Sequence, residues 1–214
     1  MVAGVCYHVI SRNNPRLQLF RRPCDLRSFL ALMDEAQQRT PLDLLAACVM
    51  PNHFHIVVRP LDASHVPAWI HWLLTTHSRR VHQLNGSHGR LWQGRFKAFP
   101  IEQDRHLLTV LRYVERNALR AGLVGRAEEW AWGSLSWRLG RASGLKLAAS
   151  PVPLPRDWVD FVNAAQTAEE LECIRACVNR QRPFGGAAWV ERTAQELGLG
   201  SSLRAPGRPR RSAA

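Results

Sequence analysis

Lysine is nearly missing from this 214-residue chain: Lys97 and Lys146 are the only two among 29 basic residues, and the rest are arginine. Acidic residues are also few, 17 in all, which leaves a formal charge of +12. Arginine forks match phosphate oxygens in pairs, so this balance favours a polyanion such as nucleic acid as partner. Genomic base bias and solubility are the bland account of the same numbers. The five cysteines, Cys6, Cys24, Cys48, Cys173 and Cys177, are an odd number without a C-x-x-C pair. They read as small buried hydrophobes of a reducing cytosol, which excludes a disulfide frame or a zinc knuckle. No apolar run is long enough to span a bilayer, and Met1-Val2-Ala3-Gly4 leads straight into a strand with no signal segment. The expectation is a soluble cytoplasmic protein with no membrane role. Tyrosine is scarce as well: Tyr7 and Tyr113 are the only two.

What is present is organised around Met50-Pro51-Asn52-His53-Phe54-His55-Ile56-Val57-Val58. After the Pro51-Asn52 corner the β-branched and aromatic residues predict a strand over 53–59, on which i and i+2 share a face. His53 and His55 then project side by side while Phe54, Ile56 and Val58 meet a core. Two neutral imidazoles so held are half of a divalent metal site; two surface histidines on an edge strand fit the pattern equally.

In chain order, 5–11 predicts a first strand, with Tyr7 and Val9 on one face and His8 and Ile10 on the other, ended by the turn-forming Arg12-Asn13-Asn14-Pro15. Helical spacing of Leu26, Phe29, Leu30 and Met33 predicts a helix over 25–39, and 42–50 is a second strand, apolar enough to be central. A longer helix over 63–84 carries His65, His71, His77 and His82, which form no cluster at ligand spacing and read as solvated or packing histidines. Residues 90–101 interleave Arg90, Arg95 and Lys97 with Trp92, Phe96 and Phe99. Phosphate pairing with base stacking explains that run, and so does a strand with alternate faces buried.

A third helix over 103–121 places Leu107, Leu111, Val114 and Ala118 on its buried stripe. Tyr113 and Asn117 lie one turn apart on another side, with Arg116 and Arg120 beside them. An amphipathic half-buried tyrosine is the alternative to a functional one. The order strand, helix, strand, strand, helix, strand, helix predicts an α+β, ferredoxin-like antiparallel sheet with helices on one face. The expected division is a sheet-bearing domain over 1–137, a connector over 138–155, a helical extension over 156–200 and a basic tail over 201–214. In that extension Thr167 to Glu170 is a capping box opening one helix, and 187–197 is another. The Gly-Arg-Pro core of the tail is similar to segments that lie in a narrow minor groove, and a basic solubilising tail fits as well.

A histidine pair, a tyrosine and an amide over one sheet, in a basic chain, point to phosphodiester chemistry by covalent catalysis. A phenol is a poor nucleophile near neutral pH unless its target phosphate is polarised, as a divalent ion on His53, His55 and a third ligand would do. Here the sequence resembles the HUH-type single-tyrosine transposases and, within them, the REP-associated branch of bacteria. The carriers are Tyr7-His8-Val9-Ile10-Ser11-Arg12-Asn13, Met50 to His55, Leu91-Trp92-Gln93-Gly94-Arg95-Phe96-Lys97, Tyr113-Val114-Glu115-Arg116-Asn117 with Arg120 to Val124, and the segments 182–185 and 207–210.

The resemblance implies a DNA transposase, a single-strand endonuclease and ligase acting beside short palindromic hairpins through a 5′-phosphotyrosine link to Tyr113. It implies Mg²⁺ or Mn²⁺ on His53 and His55, completed by Asn117, and REP-like hairpin DNA as partner. The candidate DNA contacts are Arg12, Trp92, Arg95, Lys97, Arg116, Arg120, Arg208 and Arg210. A monomer is expected over a dimer with an exchanged tyrosine helix. Two departures stand out. Ala118 occupies a place where relatives carry proline, so the helix is expected to continue smoothly, and Asn13 stands where glycine is frequent. The runner-up is a catalytically silent, transposase-derived DNA-binding regulator. A replication initiator or relaxase, or a zinc-dependent nuclease using water, are further rivals.

Overall fold

The computed structural model describes residues 1–13, 19–142 and 145–204. Four strands, β1 (Cys6–Arg12), β2 (Leu42–Met50), β3 (His53–Pro60) and β4 (Lys97–Ile101), form an antiparallel sheet in the order β2-β3-β1-β4. Helix α1 (Pro23–Arg39) connects β1 to β2, and α2 (His65–Asn85) connects β3 to β4. Each connection skips the strand lying between its ends, which is the split β-α-β arrangement predicted. The expected α+β class and sheet therefore stand.

The placement of helices differs from expectation. Helices α1 and α2 cover one face, burying Phe29, Leu32, Trp69 and Leu73 against Val9, Phe54, Ile56 and Val58. Helix α3 (Arg105–Glu115) covers the other, with Leu107, Val110, Leu111 and Val114 against Cys6, Ile10, Val57, Phe99 and Ile101. The physical reason is that β1, β2 and β3 are apolar on alternate and intervening positions alike, so neither face tolerates water.

Helix α3 opens on Asp104, whose Oδ1 accepts the His106 backbone N–H at 2.7 Å. It is followed by α4 (Asn117–Arg120), separated by the single residue Arg116, with Gly122 beyond at φ +69. The helix is thus interrupted although no proline is present, at the residue whose guanidinium is drawn onto the carbonyls of Val162 and Asn163. A short 3-10 turn (Ala127–Glu129) leads to α5 (Ser134–Arg138), α6 (Trp158–Asn163), α7 (Ala168–Arg180), α8 (Ala187–Glu196) and α9 (Gly200–Leu203). Thr167 and Glu170 cap α7 reciprocally, as their spacing predicts.

Trp158, Val162, Ile174 and Cys177 enter the same core as α3, which therefore lies between sheet and extension. That accounts for a second departure: Arg112, Tyr113 and Glu115 are buried, where an amphipathic helix would expose them. Phe184 docks on the far edge of β4 by exchanging backbone hydrogen bonds with Pro100 and Glu102. Gly185 is required there, because a Cβ would come within 2.6 Å of Trp189 and 2.7 Å of Glu102. Among the described residues no helix is long and apolar enough to cross a membrane.

Candidate active site

Register places the histidines. On β3 His53 and His55 face α3, opposite Arg12 and Ile10 of β1 and opposite Met50 and Cys48 of β2. Their rings stand edge to face with centroids 4.9 Å apart. His8, two residues before Ile10 on the same face, joins them: its Nε2 lies 2.8 Å from His55 Nδ1. Tyr113 comes down from α3 with its ring 5.7 Å from that of His55 and 6.1 Å from that of His8, nearly perpendicular to both. Arg120 covers the tyrosine, its Cζ 4.1 Å from the ring centroid, and its Nη2 donates to Asn117 Oδ1 at 3.0 Å. The sequence-predicted His53, His55, Tyr113, Asn117 and Arg120 thus form one connected cluster within one chain.

The imidazoles are held neutral. His55 is pushed well below its ordinary pKa of 6.5, first by burial and then by His8, His53, Arg120 and Arg12. His53 is lowered to about 4 by burial, then by Arg12 and Arg120, and His8 to about 3 by burial alone. A neutral imidazole has one lone pair to offer. His53 Nδ1 lies 2.6 Å from Asn52 Oδ1, an acceptor, so its proton sits there and Nε2 is left free. His55 Nδ1 is engaged by His8, which leaves His55 Nε2 free in the same way when Nδ1 donates. An imidazole oriented through its second nitrogen is the usual state of a metal-binding histidine, so His53 and His55 fit a divalent ion. Asn117 is differently placed, with its oxygen on Arg120 and its buried Nδ2 without a hydrogen-bond partner.

Around this cluster α5, α6 and the residues just after α6 act as a brace. Glu115, two residues from both Tyr113 and Asn117, is buried; its Oε1 accepts from Ser134 Oγ at 2.6 Å and Arg138 Nε at 2.8 Å, and its Oε2 from Trp158 Nε1 at 2.7 Å. Arg138 also donates to the Leu45 carbonyl in β2. Arg112 donates to the carbonyls of Ala164 and Ala165 at 2.7 and 2.9 Å. The tyrosine helix is consequently tied to the sheet and to α5 and α6 by charge-assisted bonds. Sequence reasoning missed His8 and Glu115. His8 shares a strand face with Ile10 and Arg12, but only the β1–β3 register brings it to His55. Glu115 looked like a solvated helix residue because its partners lie 19 to 43 residues downstream.

Arg120 belongs to the cluster above, and the other expected DNA contacts separate into three groups. Arg12, Arg95 and Lys97 are exposed and line one groove of about 160 Å³ with Ser11, Gln93 and Asn179. Two others are placed differently from the exposed position expected of them. Trp92 is 7% exposed and packs among Phe20, Phe29, Phe54 and His77, so no ring face is left for a base. Arg116 directs one guanidinium nitrogen, Nη1, at the carbonyls of Val162 and Asn163 that end α6. Arg208 and Arg210 lie outside the described residues, as do Asn14 and Pro15 of the predicted turn. A separate cleft of about 700 Å³, lined by Arg21, Arg22, Arg80 and His77, is on the α1–α2 side, and none of the predicted site residues is among its lining.

Among the described residues, Glu102, Asp104 and His106 form one group of three whose ligand atoms lie within 4.8 Å of one another. Such a group suits a divalent cation without fixing which. Its atoms are already employed: Asp104 Oδ1 caps α3 and lies 2.8 Å from His106 Nδ1, and Glu102 Oε2 accepts from Gly186 N at 2.7 Å. His106 is also two helical turns from Tyr113. Of the two groups, only the imidazoles of β3 stand against the tyrosine.

Residues 1–117 match the family model described as "Transposase IS200 like", a span that includes the histidines, Tyr113 and Asn117. A Haemophilus influenzae protein described as a REP-associated tyrosine transposase is 24% identical over 119 residues, covering 51% of this chain and 68% of that relative. A solved structure of a REP-associated tyrosine transposase bound to a REP hairpin aligns with a TM-score of 0.57 at 14% identity, over 70% of this chain and 92% of the other. A crystal structure described as a transposase of Deinococcus radiodurans aligns at 0.40 with 18% identity, over 54% and 92%.

Proposed function

The chain belongs to the IS200-like transposase family, and from that premise we propose that it cleaves and rejoins single-stranded DNA beside short palindromic hairpins with Tyr113 as nucleophile. Family membership implies DNA strand cleavage and transfer; the mechanism is our reading. The observation that carries it is the Tyr113 ring standing 5.7 Å from His55 in the same subunit. The phenolic oxygen attacks phosphorus, a tyrosyl O–P bond forms as the P–O3′ bond breaks, the phenol gives up its proton, and the departing 3′ oxygen takes one up. The 5′-phosphotyrosine keeps the energy of the broken linkage, so the same atoms run backwards in rejoining.

His53 and His55 would hold Mg²⁺ or Mn²⁺, which as a Lewis acid withdraws charge from the scissile phosphate and helps the leaving oxygen. His8 holds His55 in place through the Nε2···Nδ1 contact. The brace around Glu115 keeps α3 seated on the sheet, which supports delivery of the tyrosine within one subunit and a working monomer. The resemblance to a transposase that holds a REP hairpin supports hairpin DNA as the substrate here.

The test is a denaturing gel of the protein with end-labelled hairpin oligonucleotides, with and without Mn²⁺. A covalent protein–DNA adduct is expected with the metal and is expected to vanish in Tyr113→Phe while hairpin binding persists. Nicking retained by that variant removes Tyr113 from its role. Nicking without any adduct points to a water nucleophile.

A further inference from the structure

The loop before β4 and the end of α7 come from distant parts of the chain and meet at one pocket of about 160 Å³. Arg12, Arg95 and Lys97 give it three exposed cations, and Gln93 and Asn179 add two exposed carboxamides, one from the loop and one from the helix. Each side is anchored through its backbone. Gln93 N donates to the Arg12 carbonyl at 2.8 Å, and Gly94, at φ +53, turns the chain so that Arg95 returns to the same pocket. On the helix side Gln181, two residues past Asn179, accepts the Ala98 N–H through Oε1 at 3.5 Å, and Phe184 exchanges backbone bonds with Pro100 and Glu102. The end of α7 is thereby pinned to β4, the strand that carries Lys97. The two carboxamides keep their places before any ligand arrives.

Cations alone suit any phosphate and carry no sequence information. A carboxamide is different: it holds a donor and an acceptor side by side in one plane, and Asn and Gln bond a base edge in just that paired way. Stacked and paired bases hide their edges from so small a pocket, whereas an unpaired base can be turned into it. Arg12 both lines the pocket and stands opposite His53 in the β1–β3 register, so the pocket adjoins the candidate active site. We infer that Gln93 and Asn179 read one unpaired base of the DNA strand, its flanking phosphates held by Arg12, Arg95 and Lys97. The inference rests on the DNA reading above. Asn179 lies beyond residues 1–117, the span that matches the family model, so α7 adds a specificity element of its own to the matched domain.

The test measures binding by the full chain, with metal chelated so that nothing is cut. Fluorescence anisotropy is read on hairpin oligonucleotides that carry each of the four bases in turn at every single-stranded position beside the stem. The unmodified protein is expected to prefer one base at one of these positions by roughly tenfold. Asn179→Ala and Gln93→Ala are each expected to cut that preference to about threefold or less, with affinity for the disfavoured bases and its salt dependence unchanged. Lys97→Ala supplies the contrast: it is expected to lower the salt slope and keep the preference. Both carboxamides are exposed, so their variants are expected to melt with the unmodified protein. A full preference in both carboxamide variants overturns the inference. So does an equal weakening on all four bases, which assigns the two side chains to phosphate. If the unmodified protein binds no hairpin at all, the DNA reading fails and the pocket falls with it. If it binds hairpins without preference at any single-stranded position, only the pocket falls.

Discussion

Phe54 and His55 are neighbours in sequence and point to opposite faces of β3, and the two faces share more than their functions suggest. Each covers a buried imidazole: His77 among Phe20, Phe29 and Trp92 on the α1–α2 side, His8 beside His55, Phe99 and Tyr113 on the α3 side. Both are lowered by burial, to about 4 and about 3, and both have an Nδ1 without a partner. A desolvated neutral histidine with an idle nitrogen therefore does not mark a site. What separates the faces is the company kept. His77 is caged by aromatic rings, whereas His8 touches a second imidazole and stands against a phenol covered by a guanidinium. Function is read from convergence of groups able to bind one phosphate, and perturbation of a single group is common to core and site alike.

The comparison breaks most visibly if the aromatic face proves to touch DNA. Trp92→Ala removes a buried indole and is expected to cost about 3–5 kcal/mol of stability in urea unfolding, with hairpin affinity of the folded protein unchanged. A loss of affinity beyond the unfolded fraction returns Trp92 to the DNA surface and blurs the two faces. His77 sharpens the contrast through pH. Its folded-state pKa lies near 4, lowered by burial and then by Arg80, against 6.5 for the unfolded chain. The unfolded chain takes up the proton first, so this contribution to stability is whole above pH 6.5 and is lost as pH falls toward 4, amounting to roughly 3 kcal/mol. Unfolding midpoints measured across that window are expected to drop less in His77→Leu than in the unmodified protein. An identical slope in both assigns the acid sensitivity to the imidazoles of the other face.

Much of this was legible beforehand, because period-2 patterning fixes a strand's faces and the corner at Pro51-Asn52 fixes where β3 begins. The His53, His55, Tyr113 cluster followed from those local rules together with a resemblance. The two-faced sheet was harder to read, since an apolar run such as Leu44 to Met50 does not say which side its cover comes from. Glu115 and Arg112 were opaque for another reason: a charge on a helix is read as solvated until the segment that buries it is placed, and here that segment is far downstream. Trp92 failed because a basic-aromatic run has the same composition whether its rings stack on bases or on Phe29. Composition cannot order the faces of a strand whose neighbours are unknown.

The smallest effect expected comes from the groove lined by Arg12, Arg95 and Lys97, and it tests whether the polar face continues outward. Arg12 stands across from His53 in the strand register and Lys97 across from Ile10, while the backbone of Gln93 donates to the Arg12 carbonyl at 2.8 Å. Asn179 of α7 supplies the opposite wall, so the extension that braces the tyrosine helix also borders this path. Exposed cations contribute to DNA binding chiefly by releasing counterions, in proportion to the phosphates they neutralise. Arg12→Ala, Arg95→Ala and Lys97→Ala are each expected to weaken hairpin binding modestly and without sequence preference. Each should reduce the slope of log affinity against log salt by about 1, with the adduct still forming at saturating DNA. A triple variant with an unchanged slope would mean that DNA reaches Tyr113 by another route, because a strand lying in this groove cannot avoid all three charges.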